Sequence, residues 1–159
     1  MREIWKMTVE APLNQHRKSN LLIYIGICAV FAGWLGYDGY FNEGFRQRHT
    51  DADGKADASL VFNQKAAPVL ACAAVLLAGY LLAIRNRKII ADDKELVISD
   101  KERISYDSIQ RINKTDFESK GSFVLTYRDD EGKEIDRKLS NRDYDNLAAI
   151  LDKLVAEIS

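Results

Sequence analysis

The side chains that most often carry catalysis or hold metals are sparse in this sequence. Its 159 residues include two histidines and two cysteines. His16 and His49 flank a long apolar run, so they are expected on opposite sides of a membrane and cannot jointly bind an ion. Cys28 and Cys72 stand alone, one in each of two apolar runs, with no CxxC and no Cys/His cluster. They read as small apolar side chains. If the two runs pair antiparallel, the cysteines lie several residues apart in depth, and a disulfide needs Cα atoms within about 7 Å. There is no Walker loop, HExxH or GxSxG. No catalytic residue, metal ligand or cofactor site is expected, and the chain is read as a non-enzyme.

Two further groups of polar residues invite a chemical reading. His49–Asp57 has the flavour of a calcium loop. Placing Asp51, Asp53 and Gly54 on the EF-hand pattern puts His49 at its first position and Leu60 at its twelfth. Both positions need acidic ligands, so the stretch is expected to be a solvated turn. The basic residues Arg111, Lys114, Lys120, Arg128, Lys133, Arg137 and Lys138 cluster around expected strands. They are candidates for contact with an anionic partner or the inner membrane leaflet. Cross-strand pairing with nearby acids is the plainer reading.

What positions these residues is an uneven distribution of apolar side chains. The net charge of the chain is −1. Residues 85–159 carry 15 basic and 17 acidic groups, leaving 8 and 7 for residues 1–84. Neither half has the basic excess of a nucleic-acid interface. Leu21–Tyr37 and Ala66–Ile84 contain no charge at all. Stretches of this length span about 25–29 Å as helices, close to the thickness of a bilayer core. Neither has the polar face of a soluble core helix. Arg17 and Lys18 precede the first run, and Arg85, Arg87 and Lys88 follow the second. The positive-inside rule then places both termini in the cytoplasm.

Five segments follow: an N-terminal arm (1–20), a first transmembrane helix (21–41), an extracytoplasmic connection (42–65), a second transmembrane helix (66–84) and a cytoplasmic domain (85–159). Tyr37, Tyr40, Phe41 and Phe45 form an aromatic belt. Pro68 is expected in the first turn of its helix, where no N–H is needed. Ala58–Gln64 is a candidate interfacial segment. Ala29 and Gly33 in the first span, and Ala67, Ala71, Ala74 and Ala78 in the second, are candidates for close helix packing. They serve either an antiparallel hairpin or a seam for another membrane protein. In the arm, Ile4, Trp5, Met7 and Val9 alternate with polar residues. The pattern suits an edge strand, a Trp5 anchor at the interface, or disorder.

Beyond Arg85 the apolar period becomes that of strands. Lys88–Ala91, Glu95–Ser99, Arg103–Tyr106, Ser122–Tyr127 and Lys133–Ser140 read as short strands with polar turns between them. Asp129-Asp-Glu-Gly132 suits a hairpin turn with Gly132 at positive φ. Tyr144, Leu147, Ala148, Leu151, Leu154, Val155 and Ile158 fall at helical spacing. Ser140 or Asn141 is the expected cap of that helix, with Asp143 in its first turn. The fold class is therefore α+β: two transmembrane helices, then a small antiparallel sheet or partial barrel closed by an amphipathic helix.

Leu96-Val-Ile-Ser99, the step Arg103-Ile-Ser-Tyr-Asp-Ser-Ile109 and the final helix together resemble the bacterial pleckstrin-homology-like domains found in small membrane-anchored proteins. The resemblance covers about 70 residues. It implies binding rather than catalysis. Lipid-binding members of that family carry basic residues in the first hairpin, but here it reads Ala91-Asp-Asp-Lys-Glu95. Like charge disfavours an anionic head group there, so the resemblance points to a protein or peptide ligand. The expected function is that of a multi-pass inner-membrane adaptor. The alternative is an accessory subunit of a larger membrane complex, held through the helical hairpin.

Overall fold

A computed structural model describes residues 8–158. The chain is α+β and divides into two compact units. One takes residues up to Arg17 together with Ile84 onward, and the other is Lys18–Ala83. The Ile4, Trp5 and Met7 part of the arm lies outside the described residues.

In the helical unit, α1 runs Gln15–Gly36 and continues into a π-helical turn at Tyr37–Phe41. A short α2 (Glu43–Arg48) and a turn lead to α3 (Ala58–Ile84). Gln15–Phe41 and Ala58–Ile84 are both long and apolar enough to cross a membrane, and only 0% and 11% of their most apolar windows are buried. A soluble core helix would be mostly covered. Half-buried Leu21, Ile25, Cys28, Ala32 and Leu35 form one stripe along α1, and Leu70, Ala74, Leu77 and Leu81 form one along α3.

Three expectations change in this unit. The second helix starts at Ala58 rather than residue 66, because Asp57 caps it: Leu60 N–H donates to Asp57 Oδ1 at 2.9 Å. Ala58–Gln64 is therefore the opening of α3, not a separate interfacial segment. It also follows that Pro68 sits in the helix interior, where it removes the amide that would bond the Gln64 carbonyl. The Tyr40 hydroxyl donates to that carbonyl instead, at 2.7 Å. Gln64 Nε2 in turn donates to the Gly39 carbonyl at 3.0 Å. Gly39 allows this approach, since a Cβ there would stand 3.1 Å from the Gln64 backbone nitrogen.

In the other unit, seven strands among the described residues form two antiparallel sheets that do not close into a barrel. The first sheet is β1 (Val9–Pro12), β2 (Lys88–Ala91), β3 (Glu95–Ser99) and β4 (Glu102–Ser105), in that order. A 3₁₀ turn at Tyr106–Ser108 leads to the second: β5 (Ile109–Asn113), β6 (Ser122–Arg128) and β7 (Glu134–Ser140), with α4 (Phe117–Lys120) between β5 and β6. Gly132 closes the β6–β7 hairpin at φ +80°. The last helix, α5, is Leu147–Ile158. Ile89, Leu96, Ile104, Phe123, Leu125, Leu139, Leu147, Ile150 and Leu154 are fully buried together.

The residue 85 boundary therefore moves. Val9–Pro12 pairs with Lys88–Ala91, so the sheet takes its first strand from before the helices. Ala11 and Leu13 are buried with the core. The start of the last helix moves as well. Residues 141–146 form a turn, not a first helical turn, because the arm claims their backbone. Asn14 N–H donates to Asp143 O, and Asp145 N–H to Pro12 O, both at 2.9 Å. Asn146 then takes φ +63° ahead of α5, and Ser140 Oγ accepts from Arg142 N rather than capping the helix.

Candidate binding site

Among the described residues there is no cluster of His, Cys, Asp and Glu suited to a metal ion. Cys28 and Cys72 are free thiols. His49 Nδ1 lies 2.7 Å from Asp57 Oδ2. The Asp57 carboxyl is held below its ordinary range, first by the Leu60 amide and then by His49. The calcium-like stretch is a turn: Asp51 Oδ1 accepts from the Asp53 and Lys55 amides at 3.1 and 2.8 Å, and Gly54 has φ +77°.

The seven basic candidates do not converge on one point. Register divides them between the two faces of the β5–β6–β7 sheet. Arg137 stands opposite Leu125, in the row that faces the core. It pairs with Glu102 of β4 at 3.0 Å, which ties one sheet to the other. Tyr127 shares that corner, and its phenol is pushed up, first by burial and then by the Glu102 charge. Arg137 is thus taken up by the fold. Lys138 and Arg128 are in the opposite row, beside Asp136 and Glu134. Lys120 pairs with Asp116 one helical turn earlier. Lys133 flanks the Gly132 turn and donates its amide to Asp129.

Arg111 and Lys114 have a different setting. They line a groove of about 270 Å³ with Ile109, Gln110, Ile112, Val155 and Ile158. One wall is β5 and the other is the end of α5. β5 is an edge strand: it pairs with β6 alone. Beyond its ladder with β6, Ile109–Asn113 makes one further backbone hydrogen bond among the described residues, from the Ile109 amide to Tyr106 O. Unpaired N–H and C=O groups on such an edge are a template for another strand. Val155 packs half-buried against the core, and Ile158 beyond it is 38% exposed, so α5 ends in apolar surface at the groove.

A 3₁₀ turn aims β5 from its first residue. The Tyr106 hydroxyl donates to Asp92 O at 2.6 Å, fastening this turn to the β2–β3 hairpin. Its phenol is pushed well above the ordinary range, first by burial and then by Glu157, Asp92, Asp93 and Glu95. Asp92, Asp93 and Glu95 also make the first hairpin acidic.

A second recess, of about 700 Å³, lies elsewhere on this unit. It is lined by Ser119, Lys120, Ser122, Lys138, Ser140, Arg142 and Asp143. Arg142 carried no signal in the sequence beyond its charge. Only the turn at 141–146 brings it beside Lys120 and Lys138.

The small residues of the helices separate by face. Ala67 is buried and Ala74 and Ala78 are half-buried, whereas Ala29, Gly33 and Ala71 are exposed. A Cβ on Gly33 would meet nothing within 4 Å. The tight approach is at Gly39 instead, against Gln64, while Gly36 is in ordinary contact with Ala67.

No protein-family model, curated protein or solved structure matches this chain.

Proposed function

We propose that this chain is a membrane-anchored, non-catalytic adaptor whose pleckstrin-homology-like domain binds an extended peptide segment of a partner protein at the cytoplasmic face. The observation that carries this reading is the free edge of β5 beside the apolar groove at the end of α5. A peptide adding to β5 would gain main-chain hydrogen bonds from the edge. Its alternate side chains would enter the groove between Ile112, Val155 and Ile158. Arg111 and Lys114 favour an acidic residue beside those anchors.

Seven antiparallel strands in two sheets with one C-terminal helix support the domain assignment. Membrane anchoring is supported by the two long, largely uncovered apolar helices. The β1–β2 pairing supports a shared side for both ends of the chain, since it puts the residues just before α1 and just after α3 in one domain. Basic residues at both crossings favour the cytoplasmic side.

The test is selection of peptides on the full chain in lipid nanodiscs. Acidic, apolar-alternating peptides are expected. Their affinity should fall at least ten-fold with Ile158→Asp, which alters an exposed position. Undiminished binding to that variant would refute the site. A second reading, an accessory subunit held through its helices, is favoured by the exposed Gly26, Ala29 and Gly33 on α1. Partners that co-purify in mild detergent and survive Ile158→Asp but not Gly33→Leu would support it.

A further inference from the structure

We infer that the recess formed by Lys120, Lys138 and Arg142 holds the head group of an anionic phospholipid from the bilayer that α1 and α3 cross. This rests on the membrane-anchored reading and goes beyond it, since it is separate from the peptide groove.

The chemistry of the recess is that of an anion site. Three cations surround the hydroxyls of Ser119, Ser122 and Ser140. The one carboxylate in the lining, Asp143, is already engaged by Arg17. Lys138 and Arg142 form no ion pair among the described residues, and both are exposed. Lys120 has Asp116 as its partner, but that pair is on the surface at 66% and 52% exposure. Such a pair is weak enough to be exchanged for a phosphate. Arg142 can grip phosphate oxygens with two parallel N–H groups, and charge-assisted bonds of this kind are the strong ones. Asp136 is the nearest competing carboxylate along β7, and its Oδ1 accepts from the Thr126 hydroxyl at 2.6 Å.

The chain itself sets the location. The 141–145 turn that carries Arg142 is bonded to the start of α1. Asn14 Nδ2 donates to Asn141 O at 2.7 Å and to Asp145 Oδ1 at 2.8 Å. The Gln15 amide donates to Asp145 Oδ2 at 3.0 Å. Asn14 Oδ1 meanwhile caps α1 by accepting from the His16 and Arg17 amides. The uncharged run begins at Leu21, four residues beyond Arg17 on the same helix. Four residues of α-helix rise about 6 Å, roughly the depth of one head-group layer. The stretch of chain between the turn's bonding partners and the first uncharged residue is therefore short, which favours a lipid ligand for Arg142. Arg17, Arg85 and Arg87 add positive charge where the chain leaves and re-enters this unit.

The experiment uses the full chain in nanodiscs of phosphatidylcholine with and without 30% phosphatidylglycerol, with bound lipid counted after gentle release. Phosphatidylglycerol is expected to be enriched over its bulk fraction. Lys138→Gln and Arg142→Gln should each reduce that enrichment about five-fold, the factor set by one basic group near an anionic surface. Lys133→Gln, at the distant hairpin, should leave it unchanged. Insertion without enrichment, or equal loss with Lys133→Gln, would overturn this inference and leave the membrane reading intact. Displacement of the lipid by millimolar inorganic phosphate would also overturn it, because the recess would then take free phosphate. A chain that enters no nanodisc and stays monodisperse without detergent would overturn both.

Discussion

An interior proline and a tyrosine on the facing turn form a pair whose energetics can be worked out before measurement. Pro68 lies well inside α3 and cannot donate to the Gln64 carbonyl. The Tyr40 hydroxyl does so at 2.7 Å, the ordinary length of a good O–H···O bond. Tyr40→Phe should cost about 0.5–1.5 kcal/mol, the net worth of such a bond. Pro68→Ala returns the helical amide to the same carbonyl, so the hydroxyl becomes redundant. In that background Tyr40→Phe should cost almost nothing, a coupling of about 1 kcal/mol between residues in contact through one acceptor. The Gln64 Nε2 bond to Gly39 O is present in both backgrounds and serves as an internal control. The assay is reversible unfolding of the full chain in mixed micelles, read by circular dichroism. Trp34 fluorescence gives a second probe, since its indole N–H donates to Asp38 in the adjoining turn. Equal cost of Tyr40→Phe in both backgrounds would refute the exchange of donors and leave the tyrosine as packing only.

Three further outcomes follow from the second unit. Leu13→Ala should destabilise the β-domain by about 2–5 kcal/mol, the usual range for a buried leucine. Domain melting that ignores the change would mean that residues 85–159 fold without the arm. Tyr106 should titrate above the ordinary tyrosine range, because burial raises its phenol. Its raised folded value means that the stabilisation is complete below about pH 10, the unfolded value, and is lost as pH rises through the folded value. Tyr106→Phe should abolish that alkaline dependence in stability measured against pH. Leu151→Asp would bury a charge among Leu147, Ile150 and Leu154. It should abolish near-ultraviolet dichroism of the domain while the chain still floats with vesicles, and a retained cooperative melt would argue against the packing of α5.

What could be read in the sequence was whatever local periodicity encodes. The charge-free runs announce α1 and α3, alternation announces β2, β3, β6 and β7, and the 147/151/154 spacing announces α5. Asp129-Asp-Glu-Gly132 announces its turn because positive φ favours glycine. Illegible features depend on contacts between distant residues. Ser140 and Asn141 look like a helix cap in isolation. They lose that role because Leu13 and Asn14, some 130 positions earlier, take up the 143–145 backbone. Pro68 looks like an N-terminal proline until Asp57 is found to start the helix earlier. The groove beside β5 was half legible: Arg111 and Lys114 stood out by charge, whereas the exposed Ile158 was indistinguishable from core residues by spacing.

The arm illustrates the principle most sharply. Val9 and Ala91 are register partners in β1 and β2, and both long apolar helices lie between them in the chain. No window of sequence can contain both strands. The same separation governs how the domain is completed. Residues 88–158 can form β2–β7 and α5 from contacts close in sequence. β1 must close a loop through the entire helical unit before it can pair, and such distant pairings are slow to form. Until it does, β2 is an open edge and Ala11 and Leu13 are not in the core. The last strand of the sheet to dock is therefore the one nearest the amino terminus. Its docking also brings Asn14, Gln15 and Arg17 against the 141–145 turn. Completion of the sheet and capping of α1 are then one event. Under this order, Asn14→Ala and Leu13→Ala should protect the amides of the 143–145 turn from hydrogen exchange equally poorly. If Asn14→Ala exposed them while the β1–β2 amides stayed protected, the cap and the strand would be independent.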